Sequence, residues 1–215
     1  MPKRVLFLAG GWDGHQPQQV AAFVAGLLEQ EGCQAIIADT LDVLLDAAAL
    51  ATYDLIVPVW STGKISPEQV ANLEAAVISG VGLGGFHGGM GDAFRESTEY
   101  QLMTGGQFVA HPGNHIDYTV NIINHDHPVT AGIPDFQMHS EQYYMHVDPA
   151  NHVLATTTFS ADNAPWIGCT VMPVIWTRQH GAARVFLCSL GHDMRDFEVP
   201  EMREIIRRGL LWAAR

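Results

Sequence analysis

Apolar and polar positions fall into blocks along this chain, and the blocks have two different periods. "RVLFLAG" at 4–10 is a short, nearly uninterrupted apolar run, whereas "PQQVAAFVAGLLEQEG" spaces Val20, Phe23, Val24, Leu27 and Leu28 at helical intervals. The first pattern predicts a short apolar strand. The second predicts an amphipathic helix, with Pro17 near its start and Gly32 at its end. "CQAIIADT" repeats the strand signal, "LDVLLDAAALAT" predicts a short helix, and "YDLIVPVW" predicts a third buried strand. A second long helix is expected over "SPEQVANLEAAVISG", with Ser66 as N-cap, Pro67 in the first helical position and Gly80 closing it. "VGLGGFHG" then reads as a fourth strand running into a glycine-rich turn. This alternation implies a parallel sheet with right-handed crossovers and helices on both faces.

The pattern changes over 105–165, where "HIDYTVNII" and "HVLATTTF" predict antiparallel strands among irregular segments. Order returns with "MPVIWTRQHGAARVFLCSL", a predicted hairpin turning at His180 and Gly181, and with a closing helix over "PEMREIIRRGLLWAAR". No repeat, low-complexity tract or Pro/Ser-rich linker divides the 215 residues, so one domain over 1–215 is expected.

Charge removes two classes of partner. A formal net charge of −12 with no basic stripe repels phosphate backbones and anionic membranes, so neither nucleic acid nor a membrane is expected. The three cysteines, Cys33, Cys169 and Cys188, are odd in number and lack metal-ligand spacing, which predicts reduced thiols in a cytosolic protein. The N-terminal apolar run is only about five residues, far short of a signal sequence or a membrane span. The cytoplasm is therefore the expected location.

In an open parallel sheet, ligands bind beyond the carboxyl ends of the strands. At those ends this chain places Trp12, Asp13 and His15 ("GGWDGH"), Trp60 ("WSTGK"), His87 and Gly88 ("GFHGG"), and His192 and Asp193 ("LGHDMRDF"). The glycines around His87 read either as a tight turn or as a crowded site. Among the remaining residues, "DHPVTAG" makes His125 and His127 structural, and His146, His152 and His180 are expected on the surface. Trp176 is expected in the core, and His111 fits either a loop or the site.

"GFHGG", "NHDHPVTAGIPDF" followed by "SEQYY", "PVIWTRQHGAARVFLCSLGHD" and "EMREIIRRGLLWA", in this order, resemble the ThuA-like (trehalose-utilisation) family. That resemblance covers most of the chain. It implies a class I glutamine amidotransferase-like fold, a flavodoxin-like three-layer α/β sandwich with a mostly parallel central sheet, and a link to sugar metabolism in bacteria. Amidotransferase relatives carry a nucleophilic cysteine on the turn after the equivalent strand; matching "LGGFHG" to their pattern puts Phe86 there, so no glutaminase activity is expected. Glu141 of "HSEQYY" matches the family's acid-aromatic motif, although it also reads as an ordinary exposed loop glutamate.

The expected catalytic set is His87, Glu141, His192 and Asp193, with Asp193 orienting a histidine. The expected substrate-binding set is Trp12, Asp13, His15, Trp60, Gly88 and Tyr143. The irregular middle segment is expected to fold back so that Glu141 joins His87, with both residues outside the core. Aromatic faces for sugar CH surfaces, with imidazoles and carboxylates for hydroxyls, point to a small-molecule carbohydrate. The leading expectation is acid/base chemistry on a sugar or keto-sugar beside its carbonyl, by isomerisation, epimerisation or elimination. A non-catalytic sugar-binding or regulatory module is the second reading. A metal-dependent hydrolase is the third, with His15, His87, Glu141 and His192 around zinc, although no H-x-x-x-H or C-x-x-C pair supports it. No other cofactor is expected, and homo-oligomerisation is left open.

Overall fold

The computed structural model describes residues 1–215. Its first half contains β1 (Arg4–Gly11), α1 (Pro17–Glu29), β2 (Gln34–Ala38), α2 (Ala47–Leu50), β3 (Leu55–Ser61), α3 (Pro67–Ile78), β4 (Gly82–Phe86) and α4 (His87–Gly91). Next come α5 (Thr98–Thr104), β5 (Gly106–Ala110), β6 (His115–Ile122), β7 (Phe136–Glu141), β8 (Tyr144–Val147) and β9 (His152–Thr158). The chain closes with β10 (Val171–His180), β11 (Ala183–Cys188) and α6 (Pro200–Ala213). The α3 start carries a full capping box: the Gln69 amide donates to Ser66 Oγ at 3.2 Å, and the Ser66 amide donates to Gln69 Oε1 at 2.9 Å.

Nine strands form one sheet in the order β2, β1, β3, β4, β11, β10, β9, β6, β7. Pairing is parallel from β2 through β11 and antiparallel from there to β7. The fold is thus α/β with a mixed sheet: the crossover half delivers strand ends to one rim, and the antiparallel half extends it. A separate two-stranded ribbon pairs β5 with β8.

Both faces of the parallel half are buried. On β1, Val5, Phe7 and Ala9 pack into a core with α1 and α6, while Leu6 and Leu8 pack into a second core with α3 and α5. This is why the sequence of β1 shows no polar alternation. The hairpin turns where expected, with His180 opposite Ala183. The predicted helix over "LDVLLDAAALAT" is instead a short 3-10 turn, Leu41–Leu45, followed by the single turn of α2. Asp46 causes the break: its carboxylate accepts the Ala49 amide at 2.9 Å and starts α2 afresh.

Trp176 is fully buried as expected, its indole N–H donating to the Thr104 carbonyl at 2.9 Å. His127 is structural too, accepting the Val129 amide on Nδ1 at 3.2 Å. His146 and His152 are exposed, whereas His180 is only partly exposed and lies 3.5 Å from Glu74. The three cysteines are free, with Cys188 buried and Cys169 exposed. No helix is long and apolar enough to cross a membrane.

A candidate active site at the strand ends

β4 ends at Phe86 in extended conformation, and the next residue, His87, takes a positive φ of 46° as the chain turns directly into α4. A strained non-glycine residue between strand and helix is the geometry of a nucleophile elbow, and Gly85, His87 and Gly89 occupy its G-x-nucleophile-x-G positions. This corrects the expected alignment by one residue. Phe86 points into the core, edge-on to Phe197 at 5.6 Å, and His87 holds the presented position. The small residue at 89 is required by packing, because a Cβ there would lie 2.9 Å from the Val59 Cα. Neither residue is a thiol.

The carboxylate arrives from the antiparallel half. β7 ends at Glu141, and within three residues the chain leaves the large sheet for β8 of the ribbon. That corner hangs Glu141 and Tyr143 over the elbow. Tyr118 fixes it by donating its hydroxyl to the Glu141 carbonyl at 3.2 Å. His192 comes from the loop after β11, which Asp196 ties down: one oxygen, Oδ2, accepts the His192 amide at 2.8 Å and the Ser140 hydroxyl at 2.6 Å.

The side chains converge closely. His87 Nε2 lies 3.2 Å from Glu141 Oε2, His192 Nδ1 lies 3.2 Å from the same oxygen, and the two imidazole nitrogens are 3.3 Å apart. The Tyr143 hydroxyl is 2.7 Å from His87 Nε2. His87 Nδ1–H donates to the Ser189 carbonyl at 3.0 Å, which directs Nε2 at the cluster. His15, from the turn after β1, completes the group, with Nδ1 2.5 Å from Ser61 Oγ and ring centroids 4.8 Å from His87 and 4.9 Å from His192. A small cavity lined by His15, Ser61, Phe86, His87 and Gly89 lies against the cluster.

Burial sharpens the electrostatics. It is the largest influence on Glu141 and would raise its pKa, yet hydrogen bonds from His192 and His87 outweigh it and hold the carboxyl well below the usual range. Burial would lower His192, but the same carboxylate raises it on balance. His15 has no carboxylate in hydrogen-bond contact; burial, then repulsion from His87 and His192, lowers it to about 3, so this ring is neutral. Burial pushes the Tyr143 hydroxyl well above its ordinary value. The site therefore holds one firm anion, one favoured imidazolium and one neutral imidazole within a few ångströms.

Of the ten expected residues, the structure brings His15, His87, Glu141, His192 and Tyr143 into direct contact. Glu141 and His87 do share one site, as the fold-back of the middle segment required. The expectation that they stand outside the core is overturned: their exposures are 7% and 1%. Gly88 does not face open space, because a Cβ there would sit 2.5 Å from His15 Cε1; it makes room for that ring. Trp12 is half exposed and edge-on to His15 at 4.7 Å, a position at the rim. Trp60 lies across Gly10 and Gly63, and it is its neighbour Ser61 that reaches the cluster. Asp13 is exposed, with no side-chain hydrogen bond or ion pair.

Asp193 also differs from expectation. Its carboxylate is engaged by Arg195, at 3.0 Å from Nε, and although burial would raise its pKa, these bonds hold it low. The orienting contacts to His192 come from Glu141 and, through the backbone, from Asp196. Sequence reasoning missed Asp196 and Ser61, and left His111 open; His111 Nε2 lies 3.6 Å from Glu141 Oε1. It also passed over His115, which stands opposite Glu141 in the β6–β7 register and meets the His192 ring edge-on at 4.6 Å. The only available signal for Asp196 was a second acid in "GHDMRDF", three positions after the one chosen.

Together these features define an α/β protein with a buried histidine and carboxylate site at its strand ends. The chain belongs to the trehalose-utilisation (ThuA) family, whose family model matches residues 4–213. It is similar in structure to a ThuA-like protein of Parabacteroides merdae, with TM-score 0.78 and 20% identity over 99% of this chain and 90% of that one. A ThuA-like protein of Bacteroides uniformis gives TM-score 0.80 and 18% identity, over 99% and 91%. A cytoplasmic protein of Salmonella typhimurium gives TM-score 0.71 and 13% identity, over 99% and 100%. At these identities the likeness speaks for the fold alone. No curated protein matches the chain in sequence.

Proposed function

We propose that this protein acts on a carbohydrate, or on its oxidised keto derivative, by moving a proton beside a carbonyl group. The observation that carries this reading is the pair of buried imidazoles on one carboxylate, His87 and His192, each 3.2 Å from Glu141 Oε2. His192, kept cationic by Glu141, donates its proton to the carbonyl oxygen; His87 Nε2 takes the proton from the neighbouring carbon, and an enediol results. Tyr143 and His111 hold hydroxyls, and Trp12 offers an aromatic face at the rim. The family's description as trehalose utilisation favours a sugar. A cytoplasmic location and a flavodoxin-like, three-layer description of the sheet with its two helix-covered faces belong to the same proposal. Glutamine hydrolysis does not.

The test is to incubate the protein with trehalose, other disaccharides and their keto derivatives in D2O, and to follow product and deuterium incorporation by NMR. Exchange or turnover of a keto-sugar, lost at least 100-fold in Glu141→Gln, is the expected result. Saturable binding without exchange assigns a non-catalytic sugar-binding module instead, and neither binding nor turnover across the panel overturns the carbohydrate reading.

A further inference from the structure

We infer that His15, His87, Glu141 and His192 form a binding site for one divalent transition-metal ion of the zinc type. The donor atoms of these four buried residues lie within 4.8 Å of one another. Three of them form a nearly equilateral triangle, with sides of 3.2, 3.2 and 3.3 Å. Zinc bonded at roughly 2.0–2.1 Å in a tetrahedron has ligand atoms roughly 3.3–3.4 Å apart, so the triangle already has the edge length of one tetrahedral face. His15 is the fourth donor.

Two of the rings are held as metal-ligating imidazoles usually are, with the remote nitrogen occupied by a neighbouring group; the Tyr143 hydroxyl, 2.7 Å from His87 Nε2, is what an ion at that nitrogen would displace. His87 gives Nδ1–H to the Ser189 carbonyl, and His15 uses Nδ1 with Ser61 Oγ, which leaves Nε2 as the nitrogen that Ser61 does not engage. This arrangement also suits a cation. His87 Nε2 and Glu141 Oε2 lie 3.2 Å apart, and with Nδ1–H given to Ser189 a neutral His87 turns its Nε2 lone pair toward the carboxylate, so a cation between the two atoms is ligated by both. Three imidazoles and one carboxylate suit zinc and its first-row neighbours, and are a poor set for magnesium or calcium, which prefer oxygen throughout. A bound ion would supply the electrophile in place of the His192 imidazolium and would occupy the Nε2 lone pair of His87, leaving Tyr143 and His111 as the adjoining polar groups. The elbow that displays a nucleophile in hydrolases here displays a ligand.

This inference stands on side-chain geometry, so its test needs no substrate. The full chain is stripped with a chelator, dialysed, and titrated with zinc, cobalt, manganese and nickel salts by calorimetry and elemental analysis. A single ion per chain is expected for at least zinc or cobalt, with affinity falling at least tenfold in Glu141→Gln and His87→Ala and unchanged in His146→Ala, a substitution at an exposed histidine outside the cluster. Circular dichroism establishes that each variant is folded. The cobalt-loaded, unsubstituted chain gives a second readout that requires no variant: intense visible absorption from a four-coordinate nitrogen and oxygen site. Failure to retain any of the four metals, or equal affinity in folded Glu141→Gln, overturns the proposal. Metal uptake without action on any sugar overturns the proposed function and leaves this inference standing, and turnover by a chain that takes up no metal does the reverse.

Discussion

Ser140 on β7 donates its hydroxyl to Asp196 at 2.6 Å, and the same carboxylate oxygen accepts the backbone amide of His192. One buried acid therefore ties the strand that carries Glu141 to the loop that carries His192. Asp196→Ala leaves a hydroxyl and an amide without a partner, which costs roughly 2–3 kcal/mol. The expected result is a lower Tm together with reduced turnover. Asp196→Asn, which keeps an acceptor oxygen in place, restores most of both, and a denaturation series on the two variants checks this.

Gly88→Ala places a methyl 2.5 Å from the His15 ring, beside Gly89, where a Cβ would already lie 2.9 Å from the Val59 Cα. Overpacking of this kind typically costs about 1–3 kcal/mol. Loss of the His15 position should accompany the loss of stability, read as a shifted His15 resonance in an imidazole NMR spectrum.

Glu141→Gln and His87→Ala each remove one member of a group that acts as a unit. Turnover should be abolished in both, with the double variant scarcely worse than either single. Because both residues are buried, Tm is expected to fall as well, by more than surface substitutions cause. Full activity in either single variant removes that residue from the site.

His15 predicts the acid side of the stability profile. Its folded pKa is depressed from 6.5 to about 3, so the unfolded chain binds a proton that the folded chain refuses. Stability from this source is complete well above pH 6.5 and declines as pH falls toward 3, by about 1.6 kcal/mol between pH 6.5 and pH 5. Glu141 works in the same direction at lower pH, since its folded pKa is also depressed. His192 is raised, so its contribution is present below its unfolded value and is lost as pH rises through the folded one. His15→Gln should flatten the decline between pH 6.5 and 5 in urea titrations, and an unchanged slope removes His15 as its source.

Glutamine should yield no ammonia, and a glutamine-analogue electrophile should label no buried thiol. The segment 81–94 contains no cysteine, and burial pushes the Cys188 thiol up to about 12. Mass spectrometry after incubation checks this; modification of Cys188 accompanied by ammonia release contradicts it.

The parallel half of the fold was legible because its strands are continuous apolar runs, buried on both faces and separated by helices of clear period. β6 and β9 were also visible in the polar alternation of "HIDYTVNII" and the β-branched "HVLATTTF". The short β5, β7 and β8 were not. In β7, "FQMHSE" alternates as a half-buried strand should, but its inward Ser140 and Glu141 are polar, so the apolar signal stops where the site begins. The elbow was misplaced by one residue for a different reason. Aligning letters put Phe86 at the tip, whereas only backbone φ identifies His87 as the strained position. Strand-end reasoning found His15, His87 and His192 because topology alone sends them to one rim. It could not rank Asp193 against Asp196, since the difference lies in Arg195 capturing the first and a β7 hydroxyl meeting the second.

The pairing of β4 with the late strand β11 also has a consequence for synthesis. His15 and His192 are 177 positions apart (192 minus 15), and the orientation of His87 depends on the carbonyl of Ser189. During vectorial synthesis the N-terminal strands emerge first, yet β4 has its neighbour β11 only when nearly the whole chain has left the ribosome. Until then the imidazoles and the carboxylate are separate, unoriented groups. The cluster is thus assembled at a single late moment, and a polypeptide released before β11 and the loop beyond it carries Glu141 and the elbow without His192 or the carbonyl of Ser189.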